Sequence, residues 1–125
     1  MATKLKNIPN KEQAKEFDKY VAHWQDVLNL HDWRIERGSR AAKAAMASVE
    51  FDDGARLATV KIGDFGSAVV DSESLSITAL HETLHVFLYD LIQTARNNND
   101  VRLELDEHRV INVLEKLLGT LCQPK

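Results

Sequence analysis

The sequence predicts a small α+β domain, on three observations. Apolar residues recur at helical spacing in three separate stretches. Between the first and second of these they alternate with polar residues, as strands do. An Asp-Gly pair interrupts that alternation where a hairpin would turn. One short antiparallel sheet set among helices, rather than strands alternating with helices, is the expected α+β pattern. At 125 residues and 44% hydrophobic, the chain has the size and apolar content of one domain, spanning 1–125.

Pro9 and Asn10 open the first helix, with Asn10 as N-cap and Gln13 completing a capping box. Phe17, Val21, Trp24 and Leu28 then recur at helical spacing, which predicts a helix over about 11–29, ended by His31-Asp32. Trp33 to Arg37 alternates like a short strand with Trp33 and Ile35 inward; both tryptophans read as packing residues. After Gly38-Ser39-Arg40 and an alanine-rich run, Ala47, Val49 and Phe51 alternate with Ser48 and Glu50. Beyond Asp53-Gly54, Ala58, Val60 and Ile62 alternate with Leu57, Thr59 and Lys61. The expected hairpin pairs about 46–52 with about 55–62 across a two-residue Asp53-Gly54 turn. Asp71 to Ser74 offer N-caps for a long helix over about 73–96, which Asn97 to Asp100 terminate. A last helix follows over about 102–121, closed by Gln123-Pro124.

Composition narrows the function classes. Sixteen Lys+Arg are interspersed with nineteen Asp+Glu, for a net charge of −3 and no basic block, which argues against nucleic acid as a partner. The single cysteine, Cys122, has no partner for an internal disulfide and fits a reducing compartment. The first residues lack the apolar stretch of a secretory signal, and no run approaches the roughly 20 apolar residues of a membrane span. The expectation is a cytoplasmic protein with no membrane partner.

Chemistry enters with His81-Glu82-Thr83-Leu84-His85, an H-E-x-x-H motif inside the long helix. Residues four apart on a helix are separated by only about 40°, so both imidazoles reach one metal ion. Glu82 lies about 100° from His81, beside such an ion and within reach of a water on it. The two histidines share the inward stripe of Ile77, Leu84, Leu88, Leu91, Ile92 and Ala95. Zn2+ is the expected cofactor, and a catalytic zinc site takes a third protein ligand. Leu88 and Leu91 occupy the places of the Gly and third His in the metzincin extension, so that ligand comes from elsewhere. Glu104, Asp106, Glu107 and His108 compete for it. Glu107 lies on the apolar stripe of Leu103, Val110, Ile111, Leu114, Leu117, Leu118 and Leu121, where a lone carboxylate is costly. It is the first choice. His108, about 100° round the helix, is the second, and Glu104 sits at the stripe's margin. A tight helical hairpin would misplace Glu107 along the axis by about 7–8 Å, so the helices must cross or the connection must be loose.

These residues resemble the gluzincin branch of the zincin metallopeptidases, in which H-E-x-x-H is joined by a Glu from a later helix. The run from Glu107 to Glu115 is similar to the corresponding helix of small single-domain zincin-like proteins, such as the ImmA/IrrE group and short phage-encoded chains read as metallopeptidases. The resemblance implies His81, His85 and Glu107 as metal ligands, Glu82 as catalytic base, and a peptide or protein substrate extended along an edge strand, expected at 55–62. Ile111 stands where thermolysin-like enzymes carry a histidine-orienting aspartate, which leaves Asp90, Asp106 or a backbone carbonyl for that role. His108, Arg109, Tyr89 and Tyr20 are candidates to stabilise the oxyanion. The implied activity is zinc-dependent peptide hydrolysis. The alternatives are a zincin-fold regulator that binds a partner protein without cutting it, and a metal-free domain with a coincidental motif.

Overall fold

A computed structural model describes residues 6–96, 103–121 and 124. The order is α1 (Lys11–Val27), β1 (Arg34–Arg37), β2 (Ala47–Asp52), β3 (Leu57–Ile62), α2 (Ser72–Arg96) and α3 (Leu103–Leu121). This is the expected α+β arrangement of three helices and one small sheet. The Asn97–Asp100 stop signal, Cys122 and Gln123 lie outside the described residues.

Local sequence explains the helix starts. The Asn10 side chain accepts from the Gln13 amide while Gln13 Oε1 accepts from the Asn10 amide, the capping box read from sequence. Asp71 and Ser74 make the same reciprocal pair at the start of α2. Phe17 and Trp24 of α1, Leu75, Leu80 and Leu84 of α2, Val60 of β3 and Ile111 of α3 are fully buried and form the core. The Trp24 indole N–H donates to the Ser76 carbonyl at 3.0 Å, so this large ring is buried with its polar atom satisfied. Trp33 closes a second cluster with Leu30, Ala58 and Val86.

The sheet departs from the expectation in two ways. It is mixed, in the order β1-β3-β2, with β1 parallel and β2 antiparallel to β3. The strand expected at the substrate-binding edge, 55–62, is therefore the middle one. Its buried residues Ala58, Val60 and Ile62 face the helices, and the edge beside α2 belongs to β2. The register pairs Val49 with Val60, and the Gly63 amide donates to the Met46 carbonyl. In an antiparallel ladder this phase turns the amide groups of Ser48, Glu50 and Asp52 toward β3. Those of Ala47, Val49 and Phe51 point to the open edge.

The hairpin turn is also longer than two residues: Asp52 pairs with Leu57 across Asp53, Gly54, Ala55 and Arg56. The left-handed residue is Arg56, at φ 50°, rather than glycine. Ion pairs to Asp32 and Asp90, with the guanidinium 4.0 Å over the Trp33 ring, hold it there. The apolar stripe of α3 is narrower than predicted. Ile111 is buried and Leu114 and Leu118 are partly so, but Val110, Leu117 and Leu121 are exposed. Leu91 of α2, also expected inward, is exposed. Among the described residues no helix is long and apolar enough to cross a membrane.

Candidate metal centre

α2 carries His81 and His85 on successive turns, and the second turn of α3 brings His108 beside them. Each of the three offers a ring nitrogen within 4.8 Å of the others, close enough to share one metal ion. The rings meet edge to face, with centroids 5.1 Å apart for His81–His85 and 5.2 Å for His85–His108.

Every Nδ1 in the trio has a partner. His81 Nδ1 lies 2.8 Å from Glu115 Oε2, His85 Nδ1 lies 2.8 Å from Glu107 Oε2, and His108 Nδ1 lies 2.9 Å from the Glu104 carbonyl oxygen. A carbonyl only accepts, so His108 Nδ1 carries the proton and Nε2 keeps its lone pair. The Glu107 and Glu115 carboxyl groups occupy the same Nδ1 position on the other two rings. Metal-ligating histidines are oriented in this way, each donating its second N–H to a carboxylate or carbonyl.

Sequence reasoning brought His81, His85, Glu82, Glu107 and His108 to one place, and the structure assembles all five there. It differs on the third member of the set, since Glu107 stands behind His85 and His108 completes the trio. The axial rises account for this. Along α2 the two histidines are about 6 Å apart, while Glu107 and Glu115 are about 12 Å apart along α3. The two carboxylates reach the histidine pair from opposite ends, and His108 lies between them. Glu115 was missed. Its signal was available, because Glu107, Ile111 and Glu115 repeat at i, i+4 and i+8 opposite a histidine pair at i, i+4. Asp90, a candidate histidine partner, binds Arg56 instead, and nothing is described of the Asp106 side chain. Glu104 lends its backbone carbonyl, while its side chain faces Arg96 at 3.6 Å. Of the oxyanion candidates, His108 and Tyr89 line the cleft. Arg109 is exposed, and Tyr20 bonds Glu16 on the far side of the core.

The trio opens onto a cleft of about 460 Å³ between the open edge of β2 and the α2–α3 pair. Val49, Phe51 and Tyr89 form one wall, Glu82, His81 and His85 the floor, and Glu104, Glu107 and His108 the far side. The Phe51 and Tyr89 rings stack at 4.3 Å, with Trp33 edge-on to both. No family model, curated protein or solved structure matches the chain. Three imidazoles grouped within reach of one ion and lining a cleft suit a late first-row divalent ion that keeps a position open.

Electrostatics divide the site. Burial pushes the Glu82 carboxyl up to about 7, with the Glu115 carboxylate adding to the rise and His81 opposing it. The bond to Glu115 holds His81 above the usual histidine range, while burial pulls His85 below it. Glu82 gives a measurable consequence. An acid raised from 4.5 to about 7 on folding destabilises the metal-free fold as pH climbs through that window. With the metal chelated, Glu82→Gln is expected to melt above wild type at pH 8, by up to about 3 kcal/mol, and to match it near pH 4.5. Equal melting at both pH values would show that the Glu82 carboxyl is not buried as described.

Proposed function

We propose that the protein is a zinc-dependent peptidase, with His81, His85 and His108 as the metal-holding side chains and Glu82 as the general base. The observation that carries this is the coincidence of three Nδ1-anchored imidazoles with the buried Glu82 carboxyl on one cleft. A zinc ion in such a donor set supplies an acidified water and polarises a carbonyl oxygen.

The remaining steps belong to the chain's own residues. Glu107 and Glu115 fix the tilt and tautomer of His85 and His81. The free amide groups of Ala47, Val49 and Phe51 pair with an extended peptide by strand addition, a role that passes from the expected 55–62 strand to β2. Glu82 takes a proton from the attacking water as the water's oxygen bonds to the carbonyl carbon. As the C–N bond breaks, Glu82 returns that proton to the departing nitrogen. Tyr89, which lines the cleft, is the side chain placed to donate to the developing oxyanion.

Elemental analysis of tag-free protein tests this reading first. Wild type reconstituted with zinc is expected to hold about one ion per chain, and His81→Ala and His85→Ala far less, with helix content retained. Zinc-free wild type after reconstitution would remove the metal and the mechanism together.

A further inference from the structure

The cleft does not end at the histidines. A second cavity of about 330 Å³ continues past them and shares Ala47, His81 and Glu82 with the first. The larger chamber holds all three histidines and the stacked Phe51–Tyr89 pair. Beyond the shared residues the smaller is lined by Met46, Ile77 and Thr78, and by Glu115, whose carboxylate is taken up by His81. Ala47 lines both, whereas Val49 and Phe51 line only the larger, so the open edge of β2 runs from one chamber to the other. Alternate residues on a strand are about 7 Å apart, and Ala47, Val49 and Phe51 therefore present pairing positions over about 14 Å.

We propose that the site cuts internal bonds of an extended polypeptide. An aromatic or large apolar side chain on the acyl side rests against Phe51 and Tyr89, and a mid-sized aliphatic one on the amine side enters the pocket of Met46, Ile77 and Thr78. The inference rests on the hydrolytic reading above. Its direction follows from the proton transfers. The carbonyl must lie among the histidines, in the larger chamber, and the departing nitrogen must lie at Glu82, on the boundary with the smaller one. An enzyme that trims chain ends needs a fixed charge to catch the terminus. Among the described residues the smaller chamber has no Lys or Arg to receive a carboxylate. In the larger, Glu104 already faces Arg96, Glu107 is bonded to His85, and Glu82 serves as the base.

The test uses the zinc-loaded full chain and octapeptides acetylated and amidated at their ends, varied at the two central positions, with products read by mass spectrometry. Cleavage between the two central residues is expected, with Phe or Tyr before and Leu, Ile or Met after favoured about 10-fold or more over Asp or Gly. Thr78→Trp, which fills the smaller chamber from its rim, is expected to keep its zinc. Its ratio of cleavage with Leu after the bond to cleavage with Gly there should fall about 10-fold. Unblocked peptides shortened one residue at a time, with blocked ones untouched, would overturn the proposal and leave the hydrolase standing. An unchanged preference in a zinc-replete Thr78→Trp variant would overturn the pocket assignment. A zinc-loaded wild type that cuts no peptide, blocked or free, would end both readings.

Discussion

Replacing His108 with alanine is expected to empty the site, taking zinc from about one ion per chain to a small fraction of that. Glu107→Gln is expected to keep the ion and weaken it about 10–100-fold, the usual cost of disturbing a ligand's hydrogen-bond partner. The asymmetry follows from position. His108 contributes a ring nitrogen within 4.8 Å of the other two, whereas Glu107 is bonded to His85 at Nδ1 and is not one of the grouped donors. Glutamine still accepts from that Nδ1 but without the charge that strengthens imidazole as a donor to a cation. Zinc titration with a competing chelator separates the outcomes. If Glu107→Gln strips the metal and His108→Ala retains it, the carboxylate is the ligand and His108 a bystander.

Glu82→Gln is expected to hold a full complement of zinc and to lose hydrolysis by about 10²–10⁴-fold in kcat, the range for removing a positioned general base. Glutamine fills the same volume on the cleft floor but cannot carry the proton from water to amine. KM should change little, because substrate pairing lies with the β2 edge rather than with this side chain. Near wild-type turnover would take Glu82 out of the mechanism. Zinc loss in the variant would show that Glu82 contacts the ion rather than the water.

Much of this architecture was legible in the sequence because the signals were local. The Asn10–Gln13 capping box, the alternation in β2 and β3, and H-E-x-x-H on a continuous helix each depend on residues within a turn or two of one another. What could not be read depends on how elements meet. Whether β3 or β2 is the edge depends on β1 docking against β3, a pairing of residues over 20 positions apart that alternation does not encode. Which α3 side chain groups with the histidine pair could not be read for a related reason. A helical wheel gives direction around α3 but not height along it, and height decides that Glu107 meets the back of His85 while His108 reaches the front. The stripe on α3 was overdrawn because helical spacing marks every apolar residue on an arc, whereas α2 covers only the part nearest Ile111.

That thin covering has a consequence for how the chain holds together. Ile111 is the only α3 side chain fully enclosed among those described; Leu114 and Leu118 pack against the core only in part, and polar bridges to His81 and His85 add to the attachment. An ion gripped by two side chains of α2 and one of α3 would act as a rivet between the helices. Its binding free energy would then add to the free energy of keeping α3 docked, growing with the logarithm of free metal concentration. Loading and assembly of the cleft would become one event. Starved of the ion, the chain would keep its α1–sheet–α2 body and let the third wall of the cleft fray first, so supply of the metal would set how much of the population has a cleft at all.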